Sequence, residues 1–206
     1  MAKKMDARVK KSKKKFHNAL ISLMQEKRLE HITVKELCER SGLNRGTFYL
    51  HYQDVFELMQ EVERGLEEGF SAVLERAPME ALYEDEQKPV LREVCRYFEE
   101  NAAACRLFLC RGEHTALVER VKSVVQKRAL SQWRALHGGD DVRYEYAFAF
   151  ISAGCIGMLT HWLEQDTPFS AEEMAQMMEH FLSKGAKDVM QHISITRRQE
   201  AKSDTM

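Results

Sequence analysis

Residues 33–52 constrain this chain more than any other stretch, because they spell two short helices joined by a single glycine. Thr33-Val34-Lys35-Glu36 is a capping box: the Thr33 hydroxyl can accept from the Glu36 amide while the Glu36 carboxylate reaches back to the Thr33 N–H. Ile32 and Leu37 flank the box at the spacing of a hydrophobic staple. Val34, Leu37, Cys38 and Ser41 then share one narrow face, and Gly42 is placed to end the helix in the left-handed conformation that a side chain would strain. Asn44 can cap a second helix, with Leu43 and Phe48 as its staple. Asp54-Val55-Phe56-Glu57 is a third box, opening a long helix with Val55, Leu58, Met59, Val62 and Leu66 on one stripe. The pattern predicts a helix-turn-helix whose second helix is about two turns long.

What surrounds this core says what it could meet. Residues 1–52 carry 13 Lys/Arg against 5 Asp/Glu, whereas the other 154 residues carry 18 against 27. A basic first quarter on an acidic remainder suggests that the first quarter meets a polyanion, although a lysine run alone is often only a solvated face. The run at 10–15 sits in a basic arm, 1–15. After it, Phe16, Leu20, Leu23 and Met24 fall on one helical face and predict a helix ending near residues 27–29.

The rest of the chain reads as helical too. Pro89 suits a first helical position before Val90, Leu91, Val94, Cys95 and Phe98. Further helices are expected over 102–110, 115–136 and 143–165, with a break at Thr167-Pro168. Ser170-Ala171-Glu172-Glu173 is a fourth capping box and opens a last helix expected over 170–192. The polar residues from 194 onward are expected to be disordered. The domain organisation expected is a DNA-facing domain over 1–54, a larger helical domain over 55–193 and a tail over 194–206.

Several classes drop out. The stretch from Tyr146 to Leu163 has no charged side chain, but Ser152, Thr160 and His161 dilute it and Glu145 and Glu164 border it, so a membrane span is rejected. A helix apolar all round is covered by a core or by another subunit, and Ala149, Ala153 and Gly157 form a strip of small residues along it. The lysine-rich start lacks the apolar run of a signal peptide, so a cytoplasmic protein is expected. The five cysteines form no C-x-x-C pair and are read as reduced, buried thiols. A redox pair of Cys105 and Cys110 is disfavoured, since a spacing of five puts them on different faces of a helix. His114, His161 and His180 stand alone, no metal or cofactor is expected, and none of the common hydrolase, nucleotide or zinc motifs occurs.

On the second short helix, Phe48 and Tyr52 are i, i+4 partners that can anchor it, leaving Arg45, Gly46, Thr47 and Tyr49 on the open side. Arginine can pair bidentately with guanine, glycine permits close approach, and Thr and Tyr suit phosphates or a thymine methyl. The run Gly42-Leu43-Asn44-Arg45-Gly46-Thr47-Phe48-Tyr49-Leu50-His51-Tyr52 resembles the DNA-binding signature of TetR-family regulators, with Tyr52 where Phe is usual. The resemblance covers about residues 10–66. It implies an all-α homodimer with an N-terminal three-helix helix-turn-helix domain and a larger C-terminal ligand-binding and dimerisation domain. It implies phosphate contacts from Thr33, Tyr49 and His51, and base-edge positions for Lys35, Arg45, Gly46 and Thr47, with Asn44 opening the reading helix. Val55 departs from the family, which commonly has a phosphate-contacting Lys there; the alternatives are that the contact is missing or that Lys13–Lys15 supply the affinity instead.

The resemblance further implies double-stranded DNA as partner and repression relieved by a small-molecule effector of unknown identity. A DNA-binding adaptor or activator that docks a protein is the alternative. Tyr97, Phe98, Phe108, Trp133, Phe148, Met158 and Trp162 could line an effector pocket, although plain core packing accounts for any one of them more simply. The expected dimer interface is a four-helix bundle from the last two helices of each subunit, using Ala149, Ala153, Gly157, Met174, Met177, Met178 and Phe181.

Overall fold

Capping and burial set the helix boundaries in the computed structural model, which describes residues 2–76, 89–110, 115–137 and 142–182. The helices are α1 (Ala2–Glu26), α2 (Val34–Ser41), α3 (Arg45–Tyr49), α4 (Val55–Arg76), α5 (Pro89–Glu100), α6 (Ala102–Cys110), α7 (Thr115–His137), α8 (Val142–Glu164) and α9 (Ala171–Phe181), with a 3₁₀ turn at Leu29–His31. The described residues contain no strand, and the chain is all-α with an N-terminal helix-turn-helix. Contacts divide it into two units, Met1–Glu68 and Gly69–Met206, with the division falling inside α4. The first unit thus takes in most of α4, beyond the residue 54 expected from the sequence.

In the first unit the arm is not a separate element. It is the first half of α1, because Ala, Met, Lys and Arg are strong helix formers and no breaker intervenes before Phe16. Lys10, Lys11, Lys13, Lys14 and Lys15 therefore stand on a helix. Its second half buries Phe16, Leu20, Leu23 and Met24 and packs on α2, while Leu37 and Cys38 of α2, Phe48 of α3 and Leu58, Met59 and Val62 of α4 are buried in the same unit. Phe16 and Phe48 meet edge to face at 5.3 Å, and Phe48 and Tyr52 lie 5.5 Å apart. Burying each ring stabilises the unit by about 1.5–3 kcal/mol, and such pairing adds about 0.5–1.5 kcal/mol. At the far end of α1, Arg40 pairs with Glu26 at 2.8 Å and Lys27 with Glu36.

The turn forms as the spacing predicts. Gly42 has φ 67°, and the following Leu43 amide donates to Cys38 O at 3.1 Å. The α4 box closes with one change: Asp54 Oδ1 accepts from the Glu57 amide at 2.8 Å, but Glu57 accepts from the Gln53 amide instead of Asp54's.

The second unit rests on two helix pairs. In one, Val90, Leu91, Val94, Cys95 and Phe98 of α5 face Ala171, Met174, Ala175 and Met178 of α9. Cys95 Sγ lies 3.7 Å from Met178 Sδ, Arg92 bridges Glu172 (3.3 Å) and Glu179 (3.6 Å), and the Ala171 amide donates to Glu99 at 3.0 Å. In the other, α6 packs on α8. Arg106 Nε donates to Leu163 O at 2.7 Å and its Nη2 reaches Asp166 at 2.7 Å, satisfying the end of α8. The predicted break follows with Asp166 (φ 64°) and Thr167 (φ 51°) both left-handed, a conformation that is unusual for a β-branched residue. Trp162 spans the break, its Nε1 donating to Phe169 O at 2.9 Å and its ring stacked on Phe169. The Ser170 box is complete, with Ser170 N–H on Glu173 at 2.9 Å and the Glu173 amide on Ser170 Oγ at 3.3 Å. Gly69, where this unit begins, is a close-approach glycine: a Cβ there would lie 2.7 Å from Tyr97 Oη.

Candidate nucleic-acid interface

Helix α3 has only five residues, too few to be stable alone, so its neighbours must hold it in place. Asn44 Oδ1 accepts from the Thr47 amide at 2.8 Å and from the Thr47 hydroxyl at 3.0 Å, closing its N-terminus. Gly46 makes room for that cap, since a Cβ at this position would come within 3.3 Å of Asn44 Oδ1. On the inner side Phe48 is wholly buried. On the outer side Arg45 and Gly46 are exposed, Thr47 is half-buried, Tyr49 is 59% exposed and Leu50 80% exposed. His51 is half-buried beside Tyr52, with ring centroids 6.1 Å apart.

Helix α2 presents Thr33 and Lys35 to solvent. Thr33 Oγ1 donates to Glu36 Oε2 at 2.8 Å and accepts from the Glu36 amide at 3.3 Å. The hydrogen bond from Lys27 and those from Thr33 hold the Glu36 carboxyl at about 2, so it stays ionised and keeps the box closed. Lys35 lies 3.9 Å from Glu39, a loose and exposed pair that leaves its ammonium reorientable.

The structure therefore brings Arg45, Gly46, Thr47 and Tyr49 together on one short exposed face. Thr33 and Asn44 cap their helices as the sequence predicts, and the Thr33 hydroxyl proton that a phosphate contact would use is donated to Glu36 Oε2. Val55 is buried, so a phosphate contact there is absent for a packing reason as well as a chemical one. Lys13 is a poor substitute: its Nζ sits 2.6 Å from Glu61 and 5.5 Å from the Tyr52 ring centroid, whereas Lys14 and Lys15 are exposed. Leu50 is exposed at the end of α3, and its apolar side chain next to polar neighbours was the available sequence signal.

Sequence reading missed a polar cluster behind this face. Glu61 of α4 accepts from Lys13 Nζ on one oxygen, and His17 Nε2 (3.0 Å) and Tyr52 Oη (3.1 Å) lie on the other. Burial pushes the Glu61 carboxyl up, but the bonds from Lys13 and Tyr52 outweigh it and the net shift is downward. Burial lowers His17 and raises the Tyr52 phenol, so both are neutral at pH 7.

Known proteins match this chain over most of its length. Residues 85–184 match the family described as a transcriptional regulator C-terminal region, TetR_C_8. A curated relative, the uncharacterized HTH-type transcriptional regulator YxbF of Bacillus subtilis (strain 168), is 24% identical over 176 residues, 80% of this chain. The TetR transcriptional regulator of Streptococcus agalactiae 2603V superposes with a TM-score of 0.57 at 22% identity, over 88% of this chain and 99% of that one. The chain has the fold of TetR-type transcriptional regulators, and residues 85–184 match their C-terminal region. The fatty acid degradation regulator FadR of Bacillus halodurans shares the fold, with a TM-score of 0.61 at 14% identity over 84% of this chain and 95% of that one. The chain spans 43% of the length of the curated relative it matches.

Within the regulator's second unit the sequence-read sites divide. Ala149, Ala153 and Gly157 are exposed, and a Cβ on Gly157 would meet nothing within 4 Å. Tyr146 and Phe150 of α8 and Met177 and Phe181 of α9 are exposed with them. Met174 and Met178 are corrections: both are buried against α5, which removes them from any interface with a second copy. Within one chain α8 buries Tyr144, Leu159, Trp162 and Leu163, so the chain's own core does not cover it all round. Of the expected pocket residues, Phe98, Phe108 and Trp162 are core, while Tyr97, Phe148 and Met158 are half-buried; the side chain of Trp133 lies outside the described residues. Phe148 lines a groove of about 300 Å³ between α7 and α8, whose other walls include Glu119, Lys122, Gln126, Glu145 and Ser152. That lining is more polar than the aromatic pocket expected. Burial raises Cys95 and Cys105 to about 12 and Cys155 to about 11, as suits unreactive thiols. His114 and residues 183–206, including the expected tail, lie outside the described residues.

Proposed function

We propose that this regulator binds double-stranded DNA as a homodimer, represses transcription from a palindromic operator, and leaves that operator when a small molecule binds its second unit. The observation that carries the reading is the exposed face of α3. Arg45, Gly46, Thr47 and Tyr49 stand on a helix whose start is capped by Asn44 and whose other side is locked by Phe48. An arginine beside a glycine on a rigid, protruding helix end suits a base edge in the major groove. Tyr49 and His51 flank it as phosphate contacts, and the exposed lysines of α1 add sequence-independent attraction.

Dimerisation is supported by chemistry and by need. Five residues read too few base pairs to find a site in a genome, so two copies must act together. Helix α8 is long and apolar enough to cross a membrane, and little of its apolar stretch is buried within the chain. The small-residue strip on α8, with Phe150 beside it and Met177 and Phe181 on α9, gives a second copy a surface to cover.

The test is selection of binding sites from a random DNA pool by the full chain, followed by footprinting of the winner. The expected result is a twofold-symmetric site with half-sites about one helical turn apart. Enrichment of no sequence, or protection of many unrelated sites, contradicts the reading and favours an adaptor.

A further inference from the structure

The cluster around Glu61 joins three segments at the back of the reading helix, and no capping or packing role accounts for it. Tyr52 follows α3 directly, and its amide donates to Phe48 O at 3.0 Å, so the ring moves with the helix. The ring is buried against Phe16 and Phe48. Ring contacts alone are weakly directional, and a five-residue helix resting on two rings could roll by several degrees without losing area. The hydroxyl removes that freedom, because a hydrogen bond loses strength steeply with misalignment. Its acceptor, Glu61 Oε1, lies one and a half turns into α4 and is itself fixed by Lys13 and His17 of α1. Bonds to a charged acceptor in a partly buried site are the stronger kind.

We infer that Glu61 is a positioning residue for operator recognition, setting the angle at which α3 presents Arg45 and Tyr49 by holding the Tyr52 hydroxyl. Glu61 touches no DNA in this account. It acts only through Tyr52, with Lys13 and His17 keeping its carboxylate in place. Lys13 is consequently committed to the fold, and the exposed Lys14 and Lys15 carry the phosphate attraction of this stretch. The inference rests on the first unit being the DNA-reading part.

The experiment uses the full chain and two duplexes: the best sequence the wild-type protein selects from a random pool, and a scrambled duplex of equal length and composition. Tyr52→Phe keeps the ring and removes only the hydroxyl, and Glu61→Gln removes the charge. Each is expected to weaken binding to the selected duplex by about five- to tenfold, the scale of one strained or lost hydrogen bond. Binding to the scrambled duplex should stay within about twofold, since phosphate contacts tolerate a small roll. The double variant should lose no more than the weaker-binding single variant, because both act through one bond. Equal losses on both duplexes, additive losses, or a lowered melting temperature with an unchanged ratio of affinities would each overturn the inference and leave the cluster a structural staple. A wild-type protein that selects no sequence overturns the DNA-reading function itself, which separates the two failures.

Discussion

Phe48, at the centre of the first unit, is wholly buried between Phe16 and Tyr52, whereas Phe150, on the most apolar helix of the second unit, is 83% exposed. Both are aromatic residues on helices of the same chain. The difference lies in what each helix is for. The first unit uses its aromatic residues to immobilise a helix too short to stand alone, with the part-buried Glu61 cluster behind them. The second unit packs α8 on α6 and α9 on α5, and leaves Tyr146, Ala149, Phe150 and Ala153 of α8 and Met177 and Phe181 of α9 exposed. That exposed apolar face is the surface that the proposed dimer would cover.

The largest expected effect tests the first unit. Phe48→Ala should destabilise the first unit by about 3–5 kcal/mol, because it empties the site where three aromatic rings meet. Thermal unfolding checks it, and a loss under about 1 kcal/mol would mean that α3 is not anchored by this ring. Next comes the exposed apolar face. Phe150→Glu places a charge on the proposed interface at no cost to the monomer's fold, and is expected to give monomers whose affinity for the selected duplex drops by about a hundredfold or more. Gly157→Leu should overpack the same seam. Sedimentation decides: a Phe150→Glu variant that remains dimeric puts the interface elsewhere.

A smaller effect separates capping from reading. Asn44→Ala should cost about 1 kcal/mol of stability through loss of the two bonds to Thr47. Its effect on DNA should follow that stability loss; a selective loss on the selected duplex at low temperature would make Asn44 a base contact in its own right. The smallest effect is electrostatic. His17 is held below its ordinary value in the folded protein, so folding favours its neutral form. Its contribution is fully present above the unfolded value and fades as the pH falls through and below it, so stability should decline modestly from pH 7 toward pH 5. His17→Gln should flatten that decline, and an unchanged profile would show that other groups cause it.

The first unit was the more legible in sequence because its signals are local. Thr33 with Glu36, Asn44 with Thr47 and the left-handed Gly42 each act within four residues, and each is present as read. What escaped is long-range. Tyr52 meets its partners Glu61 and His17 at separations of 9 and 35 residues, and no periodicity announces such a meeting. The extent of α1 was missed because a lysine run looks like a tail when it is also a good helix former. In α9 the pairs Met174/Met178 and Met177/Phe181 each have helical spacing. The pattern identified two apolar stripes without saying which one α5 would take. Composition likewise marked α8 as apolar all round but could not distinguish burial in its own chain from a surface left for another.

The most direct test of the account is a complete set of single base-pair changes in the selected duplex, measured with wild-type protein and with Arg45→Ala. The account predicts that Arg45→Ala costs about 1–3 kcal/mol on the unchanged site and abolishes discrimination at one base pair in each half-site, symmetrically about the centre. A uniform loss across all positions, or a loss in one half only, would contradict a dimer reading DNA with the exposed face of α3.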